Sequence, residues 1–89
     1  MYDSDNLPED PVWENHTANG LYTIDKVRET PSNSEENDAL MFMVNRTSVR
    51  GRNSVHEVRY YSTQDLAIAA ATRHNETGDW TSDGEILVA

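Results

Sequence analysis

The sequence predicts a small α+β domain of two layers, in which one helix packs on an antiparallel or mixed sheet of three to four strands. Three segments carry this prediction: a continuous apolar run at 39–44, an alternating segment at 55–61, and an alanine-rich segment at 66–74 with strong helix formers. The expected order is β-β-β-α-β. A chain of 89 residues is long enough for one such domain.

The domain is predicted to span residues 20–89, preceded by an acidic arm at residues 1–19. The arm has no period of 2 or 3.6 and contains Pro8 and Pro11, which favours an extended or disordered segment. Val12 and Trp13 form its strong apolar group. They either pack the arm against the domain or contact a partner.

Two strands are predicted in the first half of the domain. The segment 21–28 is rich in β-branched and aromatic residues with rough alternation, which is typical of a strand. The apolar run 39–44 is bounded by polar segments, and its length favours a central strand covered on both faces. Between them, 30–38 has the composition of a loop.

A hairpin is predicted to follow. Residues 45–54 are polar, with Gly51 near the middle, and are interpreted as its connection. In 55–61, alternation sets Val58 and Tyr60 on one face of a half-exposed strand. Glu57, Arg59 and Tyr61 fall on the opposite face.

The helix and a last strand complete the prediction. Ser62 followed by Asp65 approximates a capping box. The predicted sheet-facing stripe is mostly small and comprises Leu66, Ala69, Ala70 and Arg73. Residues 85–89 are predicted to form a short terminal strand.

Charge is the most informative property for function. The chain carries 16 acidic and 7 basic residues, a net charge of −9. A field of this sign attracts basic partners and repels nucleic acid and anionic membranes. The same acidity is also expected of a protein adapted to high salt, in which it serves solvation.

Composition also limits the compartment. The chain has no cysteine, and no apolar stretch approaches the roughly 20 residues that span a bilayer. The first residues are acidic, where a secretory signal needs a basic and then an apolar segment. We therefore expect a cytoplasmic protein without a membrane partner.

The sharpest local motif lies at 79–86. Asp79, Thr81, Asp83, Gly84 and Ile86 match the first half of an EF-hand calcium loop. The glutamate required at its twelfth position would fall beyond Ala89, so we interpret the segment as an acidic glycine turn before an edge strand.

No other cofactor, metal or catalytic site is predicted. His16, His56 and His74 have no metal-ligand spacing, and no serine lies in a nucleophile-elbow context. The four glycines are isolated, so there is no phosphate-binding loop. We predict that the protein is not an enzyme.

A group of arginines offers one alternative function. Arg46, Arg50, Arg52 and Arg59, with neighbouring tyrosines, are residue types that contact phosphates and stack on bases. The acid excess opposes this, so we do not expect nucleic acid as a partner. We expect these arginines to pair with the chain's own acidic arm or loop.

The leading hypothesis is a small binding protein whose acidic face docks on a basic surface of a larger protein. If that surface normally binds nucleic acid, the protein acts as an inhibitor that mimics nucleic acid. In size and charge the chain is similar to the small acidic proteins with which bacterial viruses disable host polymerases, nucleases or defence complexes. The predicted partner contacts are Glu35, Glu36, Asp38, Asp79, Asp83 and Glu85, with Trp13 or Trp80 as the buried anchor.

A second hypothesis is a structural or accessory protein that forms homo-oligomers. The apolar run at 40–44 and the terminal segment at 86–88 could pair across a two-fold axis. The sequence is compatible with a monomer or a homodimer.

Overall fold

The computed structural model describes residues 11–32 and 38–88, and it confirms the predicted fold class. The five elements are β1 (Trp13–Thr17), β2 (Gly20–Glu29), β3 (Ala39–Arg50), β4 (Asn53–Tyr61) and α1 (Gln64–Thr77). The strands form one antiparallel sheet in the order β1-β2-β3-β4, and the helix packs on one face of it.

The element order differs from the prediction at both ends of the chain. The fourth strand is β1, which pairs with β2 from Trp13 opposite Ile24 to Thr17 opposite Gly20. The last part of the predicted arm is therefore extended and belongs to the sheet, while residues 1–10 lie outside the described residues. The predicted terminal strand is reduced to two isolated bridges, Tyr61 with Glu85 and Pro31 with Val88.

The hairpin of β3 and β4 is longer than predicted. Pairing continues from Phe42 opposite Tyr61 to Arg50 opposite Asn53, so most of the expected polar connection is strand. Only Gly51 and Arg52 form the turn. Gly51 has a φ of 59°, and a two-residue turn with glycine at its first position twists in the sense that the strands need.

The helix begins one residue later than the predicted capping box. Thr63 is the N-cap, because its backbone is extended and its hydroxyl accepts a hydrogen bond from the Leu66 amide at 3.1 Å. At the other end, Gly78 caps the helix in the left-handed conformation and its amide donates to the His74 carbonyl at 2.8 Å.

The buried face of the helix is one residue out of phase with the predicted stripe. Ala67, Ala70, Ala71 and His74 are buried, whereas Ala69 and Arg73 are exposed and Leu66 is half-buried. The observed face puts small side chains against the sheet and leaves the arginine in water. The three alanines let the helix approach the sheet closely.

The core lies between this helix face and the sheet. On the sheet side it contains Tyr22, Ile24, Val44 and Tyr61, each fully buried, with Trp13 and Phe42 packed at its margins. The opposite face of the sheet carries Val27, Met43, Val58 and Tyr60, all half-buried, and the fully buried Met41. The predicted alternation in β4 is confirmed, since Glu57, Arg59 and Tyr61 share the helix-facing side.

Candidate functional site

A row of polar side chains crosses three strands beneath the last turn of the helix. Tyr22 lies opposite Arg46, and Arg46 lies opposite Glu57, so one register line brings all three to the helix-facing side. His74, from the last turn of the helix, and Trp80, just beyond it, cover this row. These five residues are called the polar cluster.

An ion pair forms the base of the polar cluster. Arg46 donates from Nη1 to Glu57 Oε1 at 2.6 Å, and its Nε donates to the Asn19 carbonyl at 3.0 Å. The Arg46 side chain is only 13% exposed. The indole Nε1 of Trp80 points at Glu57 Oε2 at 3.4 Å, so both carboxylate oxygens have a donor. The carboxylate is therefore held in its charged form.

His74 connects this ion pair to the core. Its Nδ1 is 2.8 Å from the Tyr22 hydroxyl, and its Nε2 is 3.9 Å from Glu57 Oε1. Its ring stacks on Trp80 with centroids 4.1 Å apart and planes inclined by 23°. Within the described residues no buried side-chain nitrogen or oxygen lacks a hydrogen-bond partner. The cluster thus ties the end of the helix to the sheet.

Burial and charge set the protonation of the polar cluster. Burial lowers the pKa of His74, and the nearby Glu57 carboxylate only partly opposes this. Burial would raise the pKa of Glu57, but the hydrogen bonds from Arg46 and Trp80 and the arginine charge bring it below its ordinary value. Burial raises the pKa of Tyr22. At neutral pH the cluster therefore holds a neutral imidazole, a neutral phenol and an arginine–glutamate ion pair.

Arg59 forms a second charge group next to the polar cluster. Its guanidinium carbon is 5.4 Å from the Trp80 ring centroid, and its Nε is 3.9 Å from Glu85 Oε2. Burial, reinforced by Glu85, raises the pKa of Tyr61 to about 12, and the Tyr61 hydroxyl donates to the Thr81 carbonyl at 2.8 Å. Arg59 and Glu85 thus neutralise each other where the C-terminal segment meets β4.

The predicted partner contacts divide into exposed and internally packed residues. Asp79 and Asp83 are exposed, and so is Asp38, which accepts a hydrogen bond from the Thr30 hydroxyl at 2.6 Å. Glu35 and Glu36 lie outside the described residues. As contacts for a partner, these five acids stay a prediction.

The other three predicted contacts have partners within the chain. Trp13 packs at the margin of the core. Trp80 stacks on His74, and Glu85 lies beside Arg59. The structure therefore gives these side chains internal contacts, and their role in binding a partner stays a prediction.

A cleft runs along the outer side of the helix. It has a volume of about 250 Å³ and is lined by Leu66, Ala69, Arg73, Thr81 and Asp83. Three of these residues belong to the stripe that the sequence assigned to the sheet contact. These three residues instead face the C-terminal segment, where Gly84 packs against the Leu66 side chain.

The polar cluster was missed by sequence reasoning for a specific reason. The alternation of β4 placed Glu57 and Arg59 on the side of Tyr61, but 45–54 was interpreted as a connection, so Arg46 had no strand position. The expected pairing of arginines with the acidic arm or loop is wrong for Arg46, whose partner Glu57 is directly opposite in the sheet. Residues 45–48 are all polar, so no apolar alternation in the sequence extends the strand from Val44 to Arg46.

Two further properties concern the residues that the structure describes. Among them, no group of three or more histidine or acidic side chains is arranged to hold a metal ion, including at 79–86. The helix in this part of the chain is neither long nor apolar enough to cross a bilayer. No known protein family, curated protein or solved structure matches the chain.

Proposed function

We propose that the protein is a small acidic binding module that docks on a basic, nucleic-acid-binding surface of a larger protein and competes with nucleic acid for it. The net charge of −9 supplies the attraction. A rigid sheet-and-helix scaffold holds part of that charge in a fixed arrangement. In this function the carboxylates occupy the positions of phosphates.

The observation that supports the proposal best is the excess of exposed acids on the helix and in the segment just beyond it. Arg46 lies next to Glu57, and Arg59 lies next to Glu85. Both arginines are half-buried, so their charges are neutralised within the domain. Several acids remain exposed on and just beyond the helix: Asp65, Glu76, Asp79 and Asp83. Arg73 is the exposed base on that helix. The outer surface of the helix layer is therefore anionic.

The paired arginines weigh against nucleic-acid binding through Arg46 and Arg59. Phosphate contacts need guanidinium groups that are free to leave one partner for another. Arg46 is held by a carboxylate and a backbone carbonyl at once, and it is part of a buried layer. Releasing it would leave Glu57 without its main donor.

The experiment is capture of partners by the tagged protein from a nuclease-treated lysate of the cells in which it acts, followed by titration of the purified partner. We expect one stoichiometric protein that normally binds DNA or RNA. Its association rate should fall steeply as salt rises, because charge steering is screened. Added nucleic acid should compete for the same surface.

Two charge-reversal variants with equal changes in net charge locate the contact. One replaces Glu35, Glu36 and Asp38 with lysine, and the other replaces Glu76, Asp79 and Asp83 with lysine. We expect the first to abolish binding and the second to weaken it by about tenfold or more, which corresponds to about 1.4 kcal/mol. Both variants should keep the circular dichroism of the native fold. Full affinity in both would overturn the proposal.

A further inference from the structure

The outer edge of β4 is open along most of its length. β4 ends the sheet, with β3 on its inner side. Near Tyr61 the C-terminal segment covers the outer side: the Ile86 amide donates to the Tyr60 carbonyl, and the Ser62 amide donates to the Gly84 carbonyl. Among the described residues, no strand pairs with the outer side from Asn53 to Arg59.

The direction of the free backbone groups follows from these hydrogen bonds. The Tyr60 carbonyl points outward, and backbone groups along a strand alternate in direction. Ser54, His56 and Val58 therefore also direct their amides and carbonyls away from β3. The hairpin turn agrees with this assignment. Asn53 pairs with Arg50 across the two-residue turn, so the backbone groups of Asn53 point towards β3 and those of Ser54 point away from it. These outward groups form a template for another strand.

The two edges of the sheet are protected to different degrees. β1 has five residues and carries Glu14 and His16 on exposed positions. β4 has nine residues, no proline and no lysine, and its register with β3 runs without a bulge. Short length, charge, proline and bulges are the devices that keep edge strands from pairing. β4 has few of them.

We propose that this edge of β4 binds the same edge of a second copy of the chain, antiparallel and about a two-fold axis. The charge of this edge favours a second copy of the chain over a basic peptide. Between Asn53 and Val58 the single charged residue is Glu57, and its carboxylate is on the helix side, bonded to Arg46. Two anions of this kind approach each other with least repulsion at such a neutral edge. A basic peptide would find no unpaired acid there.

The side chains select one register for this pairing. With the two-fold axis at Val55, Val55 lies opposite Val55 of the second copy, Ser54 lies opposite His56, and Glu57 lies opposite Asn53. The exposed valine, now 45% accessible, then gains an apolar neighbour in a non-hydrogen-bonded pair, the closest kind of cross-strand pair. An axis at Glu57 would set two carboxylates opposite each other, and an axis at His56 would set Val55 against Glu57.

This inference does not rest on the proposed docking function. The edge residues differ from the acidic contacts, so a dimer can form whether or not a basic partner exists. The pairing would extend the sheet to eight strands, twice the four of one copy. Loss of self-association would leave the acidic surface of each copy intact.

The test uses the absence of cysteine from the chain. Val55→Cys introduces a single thiol at the proposed axis, where the two copies bring it within disulfide range. Val49→Cys is the matched control, because Val49 is also a strand valine and is more exposed, at 69%, but lies on β3. After mild oxidation, we expect Val55→Cys to become mostly a covalent dimer and Val49→Cys to stay mostly monomeric.

Sedimentation equilibrium provides the second measurement. The unmodified protein should be a dimer at high micromolar concentration, and Val55→Lys should be a folded monomer, because two lysines would meet at the axis. Cross-linking of Val49→Cys as fast as that of Val55→Cys would overturn the proposal. A wild-type chain that stays monomeric up to millimolar concentration would do the same, even if the edge bound an extended peptide of another protein.

Discussion

The space between helix and sheet is filled differently at its two ends. At the apolar end, Ile24 and Val44 lie in the same buried cluster as Ala67 and Ala71. At the polar end, the cluster of Tyr22, Arg46, Glu57, His74 and Trp80 fills the same layer with hydrogen bonds, an ion pair and a ring stack. The stability of the apolar end depends on how well the side chains fill the space. The stability of the polar end depends on every buried polar atom having a hydrogen-bond partner.

The apolar end should show the largest effect of a single substitution. Ile24→Ala removes a fully buried side chain and leaves a cavity that the sheet backbone cannot close. We expect the free energy of unfolding to fall by about 2–5 kcal/mol, measured by urea denaturation. Val49→Ala, at an exposed position of β3, is the control and should change it by less than about 0.5 kcal/mol. Equal losses in both variants would contradict this assignment of the core.

The polar end should respond to the loss of one ionic partner more than to the loss of both. Glu57→Gln leaves the nearly buried Arg46 without its carboxylate, and we expect it to cost about 1.5–3 kcal/mol at neutral pH. The double variant Arg46→Met with Glu57→Leu removes both charges and should recover much of this loss. A double-mutant cycle that adds the single variants Arg46→Met and Glu57→Leu, followed by denaturant unfolding, measures this coupling. Strict additivity of the two single variants would show that the pair is not coupled.

The smallest expected effect is a dependence of stability on pH near neutrality, which His74 at the polar end produces. The pKa of His74 is lowered from 6.5 by burial, so the unfolded chain binds a proton more readily than the folded chain. The contribution of His74 to stability should therefore be constant above pH 6.5 and fall as the pH drops through 6.5 towards the folded pKa. The slope cannot exceed about 1.4 kcal/mol per pH unit for one proton.

Two histidine variants separate this effect from other titrations. The charged and titratable groups around His74 are Glu57, Arg46, Arg59, Asp79 and Tyr22, none of which is a histidine. His74→Gln should flatten the dependence between about pH 5 and 8, and His56→Gln, at an exposed position of β4, should retain it. An unchanged profile in His74→Gln would assign the titration to another group.

The sequence predicted the elements that are marked by apolar residues, by alternation or by strong helix formers. The apolar run that begins β3 and the alternation of β4 mark strands that contact the helix, and the alanine-rich segment marks the helix. The second half of β3 escaped prediction because Asn45 and Thr47 lie on the open face, where polar residues are stable in a strand. β1 escaped because its middle residues are exposed at the edge of the sheet.

Of the candidate site, the sequence predicted only the exposed acids. Asp79 and Asp83 are exposed, as expected of acids near a glycine turn. The burial of His74 was not predictable, because its position in the helix differs from that of Arg73 by a single residue. His74 lies on the same helix face as Ala67, Ala70 and Ala71, and its Nδ1 is 2.8 Å from the Tyr22 hydroxyl on β2. That contact joins residues far apart in the chain, so the local sequence does not predict it.

The order of the strands also bears on how the chain folds. Each strand pairs with its neighbour in sequence, so the sheet can grow by successive hairpins with little loop closure at each step. The C-terminal segment is the exception, because Val88 meets Pro31 across more than half of the chain. Few contacts stabilise that closure: the bridge itself and the hydrogen bond from the Ser32 amide to the Leu87 carbonyl. We expect the contact between the C-terminal segment and Pro31 to form after the folding barrier, when the sheet is already assembled.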